Sequence, residues 1–256
     1  MASSTLATIG LATDDQAAFQ RLVLEADQRA QHEQTVRNVK VRRWEDASGA
    51  GVVLAWRGQP RGPELVSFMP AYAALSEVRL TQCYPVREPI TVANVLAADG
   101  THVTALAAEL EQYRQLVAEG RPVDSPARIT AFGLSVRVYP DEDAFRAVPE
   151  AATNLPEGTS APDAAGPAGT SDTASFIPFG AFAEPAKAQP HARLTGTVVK
   201  AERRINRLTG QPFTVAITRT AGFEADVCLS SYEHPEIPAP GAVITGVVSL
   251  FASLTP

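Results

Sequence analysis

The sequence predicts an α+β N-terminal domain with a mostly antiparallel sheet, a flexible linker, and a small all-β barrel as the C-terminal domain. Three observations lead there. The run PEAATNLPEGTSAPDAAGPAGTSDTA, residues 149–174, holds four prolines, three glycines and one large aliphatic residue, Leu155. It has too little apolar surface to offset the entropy of ordering. Before it, helical and strand periods alternate; after it, strand patterns follow one another between closely spaced turns. The expected boundaries are therefore 1–148 for the α+β domain, 149–174 for the linker and 175–256 for the barrel. A flexible stretch of about 25 residues reaches roughly 25–30 Å, so the two domains are expected to move independently.

Composition narrows the class further. The chain has 256 residues, 45% of them apolar, and a formal net charge of −6. That suffices for a sizeable core and excludes a disordered chain, a collagen-like fibre or a disulfide-stapled miniprotein. Cys83 and Cys228 fall in different predicted domains and read as reduced, partly buried thiols. MASSTLATIGLATDD has no basic residue ahead of an apolar run, so no secretory signal is expected. Ala242 to Leu254, interrupted by Thr245, Gly246, Ser249 and Ser253, is too short and too strand-like to cross a bilayer. A cytoplasmic protein is expected. Only three of the basic residues are lysines, which with abundant alanine suggests a bacterial, high-GC coding sequence.

In chain order, Leu6 to Leu11 reads as a short strand. Thr13 and Gln16 make a capping-box pattern, with Asp14 and Asp15 in the first turn, where negative charge suits the helix dipole. Phe19, Leu22, Val23 and Ala26 give the following helix an apolar face. Val39 and Val41 then alternate with polar neighbours, and DASGAG (46–51) has hairpin composition before a strand at Val52 to Trp56. Further strands are expected at Glu77 to Cys83 and Ile90 to Ala98. Asp99-Gly100 is a two-residue hairpin signal, returning the chain along Thr101 to Leu106. Leu106, Leu110, Tyr113 and Val117 point to a helix after that strand. Ile129 to Tyr139 reads as a strand, and Pro140 to Asp143 caps a short helix carrying Phe145 and Val148. IGLATDDQAAFQRLV and LSVRVYPDEDAFRAV echo each other; acidic caps arise wherever helices start, so convergence explains the echo.

Past the linker, SFIPFGAFAEP carries Phe176, Phe179 and Phe182. Long strands are expected at Ala192 to Ile205 and Pro212 to Thr220 around a turn at Asn206 to Gln211. Phe223 to Leu229 follows, then a proline-rich loop at Glu233 to Gly241 and a last strand at Ala242 to Ala252. LTGTVVKAERRINRLTGQPFTVAI, a short strand, a loop and GAVITGVVSLF resemble an OB-like (oligonucleotide/oligosaccharide-binding) barrel over roughly residues 190–254. Strand order and the glycines Gly196, Gly210, Gly241 and Gly246 carry the resemblance, which implies a first strand bent at a glycine. It also implies five strands where four are evident, the fifth coming from Ser175 to Phe182 or from a split long strand. A ligand-contacting loop would then fall at the end of the first strand.

No catalytic residue, metal site or cofactor is expected. His32-Glu33 begins like a zincin motif, but Val36 stands where its second histidine belongs. There is no nucleophile elbow, phosphate-binding loop or dinucleotide fingerprint. Asp14, Asp15, Asp141, Glu142 and Asp143 are accounted for as helix caps. Glu233-His234-Pro235-Glu236 reads as a solvated loop and Cys83, between Arg79 and Arg87, as an inert thiol. The binding candidates are Lys200, Arg203, Arg204 and Arg207, with Phe176 and Phe179 as possible stacking partners. Residues 175–256 carry seven Lys/Arg against six Asp/Glu, while the preceding 174 residues carry 15 against 22. A domain of net +1 beside one of net −7 is a poor match for a polyanion. The leading expectation is thus a non-catalytic two-domain accessory protein that bridges protein partners or joins an assembly. Single-stranded nucleic-acid binding at the basic loop is the alternative. A second alternative is an enzyme whose Asp, Glu, His102 or Cys83 converge in one N-terminal cleft.

Overall fold

A computed structural model of the chain describes residues 4–60, 62–97, 99–148, 173–180 and 187–255. Nearly all of the predicted linker, 149–174, and Phe182 lie outside these residues.

Helix α1, Gln16–Gln28, starts where Asp15, in extended conformation, accepts the Ala18 N–H at 2.6 Å. Asp15, not Thr13, is therefore the cap, because its carboxylate adds a favourable interaction with the helix dipole. The strand expected at residues 6–11 is instead a 3-10 turn, Ala7–Ile9, closed by Gly10 at φ 69°. Its carbonyls are met by side chains distant in sequence. Asn206 donates to the Ile9 carbonyl at 2.9 Å, and Gln211 both donates to and accepts from the Ala12 backbone at 2.9 Å.

Strands β1 (His32–Val36), β2 (Val39–Glu45), β3 (Ala50–Arg57) and β4 (Glu64–Tyr72) form an antiparallel meander in that order. β2, β3 and the hairpin between them match the sequence reading. β1 and β4 do not appear in it: β1 is HEQTV, almost wholly exposed, so it lacks the alternation that marks a half-buried strand.

The remaining strands are β5 (Glu77–Arg87), β6 (Ile90–Leu96), β7 (His102–Leu110), β8 (Val123–Tyr139), β9 (Ser175–Pro178), β10 (His191–Ile205), β11 (Pro212–Arg219), β12 (Glu224–Ser230) and β13 (Val243–Leu254). Helix α2, Tyr113–Glu119, lies between β7 and β8, and α3, Glu142–Arg146, follows β8 with Asp141 as its cap. The echo between the two acidic junctions is confined to these caps, since a 3-10 turn precedes one and a long strand the other.

Pairing closes two rings. In one, β5, β6, β7, β13 and β8 follow one another and β8 returns to β5. In the other, β10, β11, β12, β8 and β13 follow one another and β13 returns to β10. All contacts are antiparallel except β7 with β13 and β12 with β8. Each ring thus takes four strands from its own half of the chain and its fifth from the other half. The shared edge is β8 against β13, paired from Ala127–Leu254 to Tyr139–Val243.

This corrects the picture of two independent domains. The segments before and after residues 149–174 interleave in one sheet, and their side chains share one core. Leu80, Val95, Leu106 and Ile129 pack in the same cluster as Leu194, Val227, Ile244 and Leu250. The fifth strand of the C-terminal ring is β8. It is not residues 175–182, whose described strand β9 lies at the sheet edge on β10. Gly196 does sit at the crossing of β10, which pairs with β13 up to Thr197 and with β11 beyond it. A Cβ at Gly196 would come 2.5 Å from the Arg219 carbonyl oxygen, so close backbone approach explains the glycine.

The four-stranded sheet and α1 lie against the outside of the C-terminal ring. Phe132, Phe213, Val215, Cys228 and Phe251 join Trp44, Leu54 and Met69 in a second core. Tyr72 meets Phe213 edge-on at 6.3 Å between ring centroids. No helix among the described residues is long and apolar enough to cross a membrane.

Candidate binding cleft

The basic run lies on β10 and the turn after it, but its members have different surroundings. Arg204 is held among protein groups: its Nη1 donates to the Ser48 carbonyl at 2.8 Å and its Nε to Glu202 at 2.9 Å. Its guanidinium stands 5.7 Å from the Tyr72 ring centroid. Arg203 donates to the Pro235 carbonyl, and the Arg207 N–H donates to Asp46 at 2.5 Å. Lys200 is exposed, with its ammonium 3.9 Å from Glu202. The run therefore pins the β10–β11 turn to the β2–β3 turn, and Lys200, Arg203 and Arg207 remain at the surface.

Phe179 is buried, and Phe176 packs edge-on against Phe223 at 5.0 Å. Neither stands beside the basic run as a free stacking face, because both are used in packing around β9 and β10.

Cys83 is fully buried within the first core, and burial, with Asp124 adding, pushes its thiol up to about 12. Cys228 is likewise buried and its thiol raised by burial, then by Asp226. Neither forms the thiolate at neutral pH. His102 is exposed, with Nε2 3.4 Å from Asn94 Oδ1. The structure thus does not bring Cys83 and His102 into one cleft. Burial lowers the pKa of His191 and, against the nearby Glu233, of His234. Among the described residues no three His, Cys, Asp or Glu side chains gather as a metal-binding group.

The concave site with the clearest chemistry lies elsewhere. A cleft of about 430 Å³ opens between the β1–β3 face and the corner that leads into α2. His32, Glu33 and Gln34 of β1 form its rim, Val41 and Val53 its apolar floor, and Glu111, Gln112 and Gln115 its opposite wall. Strand pairing places His32 opposite Arg43 and Gln34 opposite Val41, so the His32 and Gln34 side chains project from the same sheet face as the floor, while Glu33 turns to the other face towards Lys40 and Arg42.

Arg43 bridges the walls, its Nη1 reaching both Glu111 oxygens at 2.6 and 2.7 Å, while Nη2 meets Glu45. Burial alone would lower the Arg43 pKa, but Glu111 and Glu45 outweigh it and hold the guanidinium above its ordinary value. Ser253 donates to Glu111 at 2.8 Å, and Gln112 accepts the Leu254 N–H at 2.9 Å. The end of β13 therefore fixes the far wall. The side chains of His32, Gln34 and Gln115 make no hydrogen bond among the described residues and line the opening with their donors and acceptors available. Beyond His32 and Arg43 the cleft continues into a hollow lined also by Gln31 and Glu45.

Sequence reasoning missed this site. Only His32 and Glu33 drew attention there, as a failed zincin motif, and no local pattern links residues 32–34 to 111–115. No family model matches the chain, and neither a curated protein nor a solved structure matches it.

Proposed function

We propose that this protein is a non-catalytic accessory protein that holds an extended, neutral-to-basic segment of a protein partner in the cleft between β1 and the 111–115 corner. The observation that carries this reading is the lining. His32, Gln34 and Gln115 offer both donors and acceptors above the apolar floor of Val41 and Val53, which suits a peptide main chain. Within the cleft Arg43 is shared between two carboxylates, Glu45 and Glu111, and the remaining negative charge disfavours a polyanion.

The OB-like reading of the barrel belongs with this proposal. In each ring the first strand pairs with the second and the fourth, and the third runs parallel to the fifth. That order supports two OB-like barrels that exchange fifth strands. OB-like barrels carry nucleic acid on the face of their second and third strands. In the C-terminal ring that face is β11–β12, whose Phe213, Val215 and Cys228 pack under the N-terminal sheet. This removes the strand face from the nucleic-acid alternative, which then rests on the β10–β11 loop with Lys200, Arg203 and Arg207 alone.

The test is fluorescence anisotropy with a panel of labelled 12-residue peptides and one single-stranded oligonucleotide. A peptide subset should bind, and Gln115→Ala should weaken it about three- to ten-fold, the loss of about one hydrogen bond. Oligonucleotide binding lost on Arg203→Ala, with every peptide silent, would replace this reading by the alternative.

A further inference from the structure

The geometry points to a second copy of this chain as the partner of the β1 edge: two molecules pair β1 to β1 antiparallel about Gln34, joining their four-stranded sheets into one of eight. This rests on the pairing pattern of β1 and not on the peptide-binding reading, though it places two clefts side by side.

Among the described residues β1 pairs with β2 alone, so its other backbone edge is unpaired. Val36 and Val39 flank the two-residue turn Arg37-Asn38 and close the hairpin as a hydrogen-bonded pair. Alternation along the ladder then turns the N–H and C=O groups of Glu33 and Thr35 away from β2. These two positions, one residue either side of Gln34, are self-complementary. With the dyad at Gln34, each Glu33 faces Thr35 of the other copy, and both exchange their N–H and C=O bonds.

Side chains favour the same register. It sets Gln34 against Gln34, His32 against Val36 and Glu33 against Thr35, so no like charges stand opposite. A dyad centred on Glu33 would oppose two carboxylates. The Glu33 charge is already balanced within its own sheet, by Lys40 at 3.0 Å and Arg42 at 3.2 Å. A two-fold axis through the strand pair keeps both clefts on the same sheet face, because His32 and Gln34 of each copy project together. The contact involves one five-residue edge, which belongs with small, readily reversible interfaces.

The test is sedimentation velocity of the full chain over a series from about 1 to 500 µM, without peptide. The wild type should pass from monomer to dimer. Gln34→Lys and Gln34→Glu, exposed changes set directly across the dyad, should each weaken the dimer about ten-fold. An equimolar mixture of the two variants should restore it, which a misfolded variant could not do. A wild type that stays monomeric throughout, a Gln34→Lys protein that dimerises like the wild type, or a mixture that fails to recover would each overturn the proposal. Peptide binding by Gln115→Ala, off the dyad, reports separately on the cleft.

Discussion

Replacing Gly246 by alanine is expected to destabilise the protein by about 3–5 kcal/mol, combining backbone strain with overpacking. Gly246 adopts φ 146°, which L side chains rarely reach, and it stands opposite Val136 in the β8–β13 ladder. A Cβ there would come 2.1 Å from the Ser135 carbonyl oxygen and 2.6 Å from Val136 Cα. Both obstacles are backbone atoms of the strand that closes both rings, so neither can move without breaking the shared edge. Gly133, on the other strand of that edge, is the comparison. A Cβ at Gly133 meets the ends of Val136 and Leu229 at 2.8 and 3.0 Å, side chains that can rotate away. Gly133→Ala should cost about 1–2 kcal/mol. Urea unfolding followed by circular dichroism separates the two. Equal effects at both glycines would show that the β8–β13 crossing is looser than described.

The second large effect is expected at Asp226, a fully buried carboxylate on β12. It accepts the backbone N–H groups of Leu75 and Ser76, each at 3.0 Å. These residues form the crossing from β4 to β5, so one side chain fastens the N-terminal sheet to the C-terminal ring. Asp226→Ala removes two charge-assisted hydrogen bonds and should lower stability by about 2–4 kcal/mol. The loss should be local as well as global. Amide exchange at Leu75 and Ser76 should accelerate before the strands open, whereas a purely electrostatic role would leave their protection unchanged.

Much of the strand pattern could be read from the chain because burial on one face forces alternation. That mark is clear in β2 and β5; β3, β6 and β11 to β13 read as strands from near-continuous apolar runs buried on both faces, and the hairpins at 46–51 and 99–100 carry their own turn chemistry. β1 carries no such mark, since an exposed edge strand has no buried face to encode. The 3-10 turn at 7–9 was illegible for another reason: its hydrogen-bond partners, Asn206, Thr209 and Gln211, lie some two hundred residues away.

The exchange of fifth strands was hidden by the composition of residues 149–174. Such a run does announce a break in the core pattern, but it says nothing about whether strands on its two sides pair. That is decided by complementary edges, here the long β8 and β13, each reading locally as an ordinary buried strand. The cleft was invisible for a similar reason. Arg43 and Glu111 come together only because the N-terminal meander and the α2 corner flank the same ring. The basic run, by contrast, was conspicuous in sequence, yet Arg204 serves to join two turns.

The account stands on the reciprocal exchange of β8 and β13, and cutting the chain between those strands tests it most directly. A site-specific protease sequence inserted between Ala164 and Ala165 would allow cleavage after folding, with sedimentation velocity as the readout. The two fragments should remain a single species of whole-chain mass at micromolar concentration and should separate only as the fold unfolds. Fragments that part on dilution and each keep a cooperative unfolding transition would contradict it.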